Sequence, residues 1–148
     1  MSSFTTPLIT KFLDGRDFEL HEQFAYRVGD EKSQLVVNVP VGYVTDFAST
    51  PRIIWWLLPP TGKYGKAAVV HDFLCQYHKI MNGSESIYVS RKQGDDIFYE
   101  AMEVLKVPKW QRDTMYFAVR AYAIVKGYDR VNYGQNAQTD AVLAPLYA

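Results

Sequence analysis

His71, Asp72 and Asp95 are the residues of this chain whose types and spacing could do chemistry. In Tyr64–Met81, YGKAAVVHDFLCQYHKIM, the apolar residues Ala67, Val70, Leu74 and Tyr77 recur at three- and four-residue steps, the period of an amphipathic helix. His71 falls inside that stripe, so a titratable ring is carried on the buried side and needs a partner. Asp72 is turned about 100° away around the same helix, which gives it a different role. A second helix carries Asp95 on its inner stripe with Phe98, Ala101, Met102 and Leu105. A carboxylate and an imidazole on two facing helices can answer each other. The expected contact is a hydrogen bond from His71 to Asp95, which fixes the tautomer of the ring.

Several elements must position that pair. Ser90 opens the second helix through a capping box with Gln93, and Asp96, Glu100 and Glu103 fall on its flank as solvated charges. Val107-Pro108 breaks the chain, and a third helix runs from Pro108 to a C′ glycine at Gly127 with Met115, Val119, Tyr122 and Val125 as its stripe. Asp113 and Arg120 share a face of it and read as a salt bridge to a neighbour. Upstream, Phe18, Leu20, Phe24, Tyr26 and Val28 alternate with polar residues, as do Leu35, Val37, Val39 and Val41 after the Gly29–Gln34 turn. They make an antiparallel hairpin, one strand or two short ones on its first arm, with the second arm ending or lying at an edge at Pro40.

Between hairpin and first helix lies a Pro- and Gly-punctuated loop with a short helix over 51–58, capped by Thr50 with Pro51 at its first turn. Asp46 and Arg52 in this loop read either as an ion pair bracing it or as groups lining a site. The Trp55–Leu58 block reads as core. After the His71 helix, NGSES is a turn and Ile87–Val89 a short strand. The fold expected is α+β: an N-terminal antiparallel β-hairpin or small sheet packed against three main α-helices, one domain over 1–127. The Tyr-, Asn- and Gln-rich tail over 128–148 has no sustained period and is expected to be disordered or laid across another subunit.

Composition narrows the function. At 148 residues the chain suits one domain with its own core. Lys plus Arg and Asp plus Glu number 16 each, which argues against nucleic-acid binding, where a basic excess is needed. A single cysteine, Cys75, rules out an internal disulfide framework. No apolar run approaches the roughly 20 residues of a membrane span, and no signal peptide is recognisable at the N-terminus, so a soluble protein is expected. The 11 tyrosines and 3 tryptophans exceed what a minimal core needs and suit an aromatic contact face for a partner chain.

Other chemistries fit less well. His21, His71 and His78 with Asp46 or Asp72 could be drawn as a zinc site, but two helical turns between His71 and His78 span about 10 Å, too far for one ion. Cys75 and His71 have the spacing of a nucleophile and base on one helix, with nothing local to orient the ring. No paired-carboxylate or zinc-ligand pattern for attack on a cell wall stands out.

The runs VPVGYVTDFASTPRIIWWLLPP, AAVVHDFL, SRKQGDDIF and VPKWQRDTMYFAVRAY follow in order the pattern of a phage and prophage family known as domain of unknown function 1353, which the chain resembles over roughly residues 36–127. That resemblance implies a tailed-phage or prophage origin, with a location in the host cytoplasm during infection or on the virion. A second, local resemblance is to phospholipase A2 enzymes, in which a helical His-Asp pair is followed on an antiparallel helix by an Asp. It implies His71 as general base, Asp95 orienting it, and Asp72 with loop carbonyls as ligands of Ca2+; no clear glycine-rich calcium loop is present, Gly42–Asp46 and Thr61–Gly65 being candidates for it. Cys75 stands where those enzymes carry tyrosine. The function expected is thus hydrolysis of a host-envelope component, lipid or wall. The competing expectation is a virion or assembly component, joining virion proteins or a second copy of itself, whose His71 and Asp95 satisfy one another in the core.

Overall fold

The computed structural model describes residues 3–4, 10–12, 18–20, 23–30, 32–45, 65–134 and 137–147. In chain order these form strands β1 (Ser3–Phe4), β2 (Thr10–Phe12), β3 (Phe18–Leu20), β4 (Phe24–Arg27), β5 (Leu35–Val39) and β6 (Val44–Thr45). There follow helix α1 (Gly65–Tyr77), strands β7 (Lys79–Asn82) and β8 (Glu85–Tyr88), and helices α2 (Arg91–Val104), α3 (Lys109–Lys126) and α4 (Ala137–Leu143). The fold is α+β, as its pattern predicts.

Alternation builds the sheet. Phe24, Tyr26 and Val28 on one arm and Leu35, Val37 and Val39 on the other are all buried, and β4 pairs antiparallel with β5 in the register Phe24↔Val39 to Arg27↔Val36. Pro40 ends the second arm, because it has no N–H to donate, and Gly42 turns the chain at φ +85°. The apolar stretch from Phe18 to Val28 divides in two: β3 joins a separate three-stranded sheet in the order β2-β3-β6, while β4 enters a five-stranded sheet in the order β1-β4-β5-β7-β8.

The first helix is shorter than its apolar pattern. It ends at Tyr77, where His78 takes a left-handed φ of +55° and donates its backbone N–H to Leu74 O at 2.9 Å. Ile80 and Met81, which continue a helical period, instead enter a β7–β8 hairpin. The physical reason is the turn: Gly83 at φ +63° lets Asn82 and Glu85 pair directly across it. Ile80 is buried in the sheet.

Helix α2 starts as its capping box predicts, with Gln93 N donating to Ser90 Oγ at 3.1 Å and Ser90 N to Gln93 Oε1 at 2.8 Å. Helix α3 ends at Gly127, φ +77°, in the position expected. Its buried residues are Met115, Val119 and Ala123; Tyr122 is half-buried and Val125 is exposed, so the inner stripe lies one step round from the one expected. Helix α2 packs against both α1 and α3, and α1 lies over β5.

The segment after Gly127 folds back on the same body. Leu143 is fully buried, Gln93 Nε2 donates to Asp140 Oδ1 at 3.0 Å, and the Tyr147 hydroxyl donates to Glu100 Oε2 at 3.1 Å. Glu100 also accepts from the Tyr26 hydroxyl at 2.6 Å and from Gly29 N at 3.0 Å, so it is not the solvated charge its helix phase suggests. Asp96 accepts from the Tyr116 hydroxyl and from Lys92, so it too is engaged by a neighbouring helix. The expected helix over 51–58 with its Trp55–Leu58 block, together with Asp46, Arg52 and His21, lies outside the described residues.

Candidate functional site

The helical phase of α1 carries His71 inward and that of α2 carries Asp95 inward, and both are 0 % exposed. The two side chains meet: His71 Nε2 donates to Asp95 Oδ1 at 2.7 Å, and the ring lies on Phe98 at a centroid distance of 4.4 Å. Two further groups join them that the helix pattern alone did not single out. Arg91, one turn before Asp95 on α2, donates Nε to the same Oδ1 at 3.3 Å, and Arg120 of α3 donates Nη1 to Oδ2 at 2.7 Å. Arg120 also pairs with Asp129 beyond the end of α3. Arg91 is legible as an i,i+4 partner of Asp95. Arg120 carries no such local signal, since only tertiary packing brings α3 to α2.

The electrostatics follow from this company. Burial by itself raises the carboxyl of Asp95, but the hydrogen bond and charge of His71, with Arg91 and Arg120, outweigh it and hold Asp95 below its ordinary value. For His71, burial disfavours the charged ring, while Cys75 and Asp95 favour it more, and its pKa is raised from 6.5 to about 9. The company of Asp95 thus favours the charged form of the ring. The guanidinium of Arg91 sits over the rings of Tyr128 and Tyr122 at 5.1 and 6.0 Å.

Asp72 lies on another side of α1, as its 100° offset predicts. It is buried and accepts a hydrogen bond from the Tyr43 hydroxyl at 2.7 Å, whose oxygen also lies 3.0 Å from Gln76 Oε1. Burial, then the Asp72 charge, pushes the Tyr43 phenol above its ordinary range. His71 and Asp95 are thus brought together and Asp72 is not with them. Among the described residues the one group of three His, Cys, Asp or Glu side chains placed to hold an ion is His71, Cys75 and Asp95, whose ligand atoms lie within 4.8 Å of one another. Nitrogen, sulfur and one oxygen do not suit calcium, which takes six to eight oxygens, and any ion there would share Asp95 with two guanidinium groups.

The remaining candidates separate. Cys75 Sγ lies 3.5 Å from His71 Nε2 and 3.9 Å from Nδ1, so the sulfur sits beside the ring on the nitrogen that Asp95 already holds. His78, placed by a continuous helix two turns below His71 on the same face, has left the helix and stacks flat on Tyr133 at 3.4 Å. Burial, then the nearby Arg91 charge, lowers its pKa to about 4, so it is neutral. Asp113 is held by Lys109 and the Tyr99 hydroxyl and has no part in the cluster.

No helix among the described residues is long and apolar enough to cross a membrane. No solved structure matches the chain. A protein of Sinorhizobium fredii (strain NBRC 101917 / NGR234) named "Uncharacterized protein y4jT" is 33 % identical over 107 residues, which are 71 % of this chain and 28 % of that protein. The chain thus spans little more than a quarter of the curated relative it matches. Over residues 18–119, which include α1, α2 and nearly all of the buried cluster's residues, the sequence matches "Protein of unknown function (DUF1353)", and the chain belongs to that family.

Proposed function

We propose that this domain is a non-enzymatic structural or assembly component, of phage or prophage origin, in which His71 and Asp95 clamp helices together. The observation that carries this reading is the sealing of the pair: both residues are 0 % exposed, and Asp95 is engaged by His71, Arg91 and Arg120. A general base must reach water or substrate and hold a free basic nitrogen at working pH. His71, shut in and held towards its charged form beside Asp95, is placed for neither; instead it joins α1 to α2, while Arg120 joins α3 to α2. Thermal melting of His71→Ala tests the clamp. A drop of many degrees is expected, and an unchanged melting temperature would remove the clamp reading.

A second reading, hydrolysis of a host-envelope lipid or wall component, has one observation in its favour. Asp95 binds Nε2, leaving Nδ1 as the nitrogen that could take a proton from water, the arrangement a phospholipase A2-like base requires. In that case Asp72 would ligate Ca2+ and Asp46 and Arg52 would line the site, and activity would rise as His71 loses its proton near pH 9. Mass spectrometry of products released from bacterial envelopes, with calcium and with chelator, separates the two. Freed fatty acids or wall fragments that vanish with His71→Ala would replace the clamp by the enzyme.

A further inference from the structure

We propose that the outer face of α3 is the surface through which two copies of this chain pair. The proposal rests on the assembly reading above and names its partner. Helix α3 buries Met115, Val119 and Ala123 against the body. On the opposite side, about 140–180° round from Val119, Trp110, Phe117 and Ile124 follow one another at seven-residue steps. They are 66, 75 and 59 % exposed, and Val125 beside them is 84 % exposed. A helix that is apolar on both sides is built to be packed on both sides.

Three features point to a second copy as the occupant. Large residues on the outer stripe alternate with small ones, Thr114 and Ala121, so in an antiparallel pair about a two-fold axis the Phe117 of each copy can sit over the Ala121 of the other. The exposed large side chains offer on the order of 500 Å² per copy, hence about 1,000 Å² in the pair, the size at which specific interfaces begin. The chain has no net charge to repel its twin. The charges flanking the stripe already have partners, Asp113 with Lys109 and Arg120 with Asp95 and Asp129, so pairing leaves none of them without a counter-charge.

Sedimentation velocity over a concentration series tests the pairing. The wild type is expected to move from monomer to dimer and stop there, and Phe117→Asp to weaken the association by at least about tenfold. Circular dichroism melting checks that the variant is folded, and Ile124→Glu serves as the second variant should Phe117→Asp not fold. A wild type monomeric at every concentration, oligomers growing past the dimer, or a dimer indifferent to both substitutions would overturn the proposal. None of these outcomes touches the clamp, which is read separately from the melting of His71→Ala.

Discussion

Asp95 and Glu100 lie five residues apart on α2 and each gathers three donors, yet Asp95 collects His71, Arg91 and Arg120 while Glu100 collects the Tyr26 and Tyr147 hydroxyls and the Gly29 amide. One is a sealed ionic centre and the other a half-buried carboxylate among neutral donors. The difference shows what each carboxylate does for the fold. A buried carboxylate with cationic partners cannot be removed without leaving those cations unpaired. A carboxylate with neutral donors leaves groups that can turn to water at a smaller cost.

Removing the anion should therefore separate the two centres most. Asp95→Ala is expected to lose about 3–5 kcal/mol in urea unfolding, because His71 and Arg91 lose their carboxylate in a dry site while Arg120 keeps Asp129; a loss no larger than that of Glu100→Ala would erase the distinction. Next comes His71→Ala, expected to cost about 2–4 kcal/mol through the lost ring packing on Phe98 and the lost hydrogen bond.

The same substitution sharpens the comparison through pH. Since the folded pKa of His71 is raised from 6.5 to about 9, its contribution is fully present below pH 6.5 and is lost as pH rises through about 9. Urea midpoints measured across that window should fall for the wild type and flatten for His71→Ala. Asp95, held below its ordinary value, contributes in the opposite sense, with stability lost only as pH falls into the acid range.

At Glu100 the effects shrink. Tyr147→Phe removes one hydroxyl from Glu100 and should cost about 1 kcal/mol, read as faster proteolytic trimming of the C-terminal segment with little change in global melting. Smallest is Lys109→Ala, which breaks an exposed pair with Asp113 and should leave the melting temperature unchanged within error.

Much of the ionic centre is legible in the amino-acid sequence. Two helix stripes put His71 and Asp95 on facing sides, and the Ser90–Gln93 box and Gly127 mark where α2 begins and α3 ends. These readings depend on contacts within four or so residues, where spacing alone fixes direction. Asp96 and Glu100 misled because a flank position on one helix looks solvated until a neighbouring strand, helix or tail arrives over it. His78 misled because the end of α1 is decided by a hairpin turn further on, at Gly83, and not by the apolar period that runs through it.

The sequence by itself determined the α+β class, the hairpin from Phe24 to Val39, and the inward direction of His71 and Asp95, since each follows from local periodicity and turn chemistry. Only the tertiary structure decided that Arg120 completes the centre, that Glu100 gathers Tyr26, Gly29 and Tyr147, and that α3 carries exposed apolar residues on the side away from Val119. The reason is physical. Those contacts join residues twenty-five to seventy-four positions apart, or rest on which face of a helix its neighbours happen to cover, and spacing along the chain encodes neither.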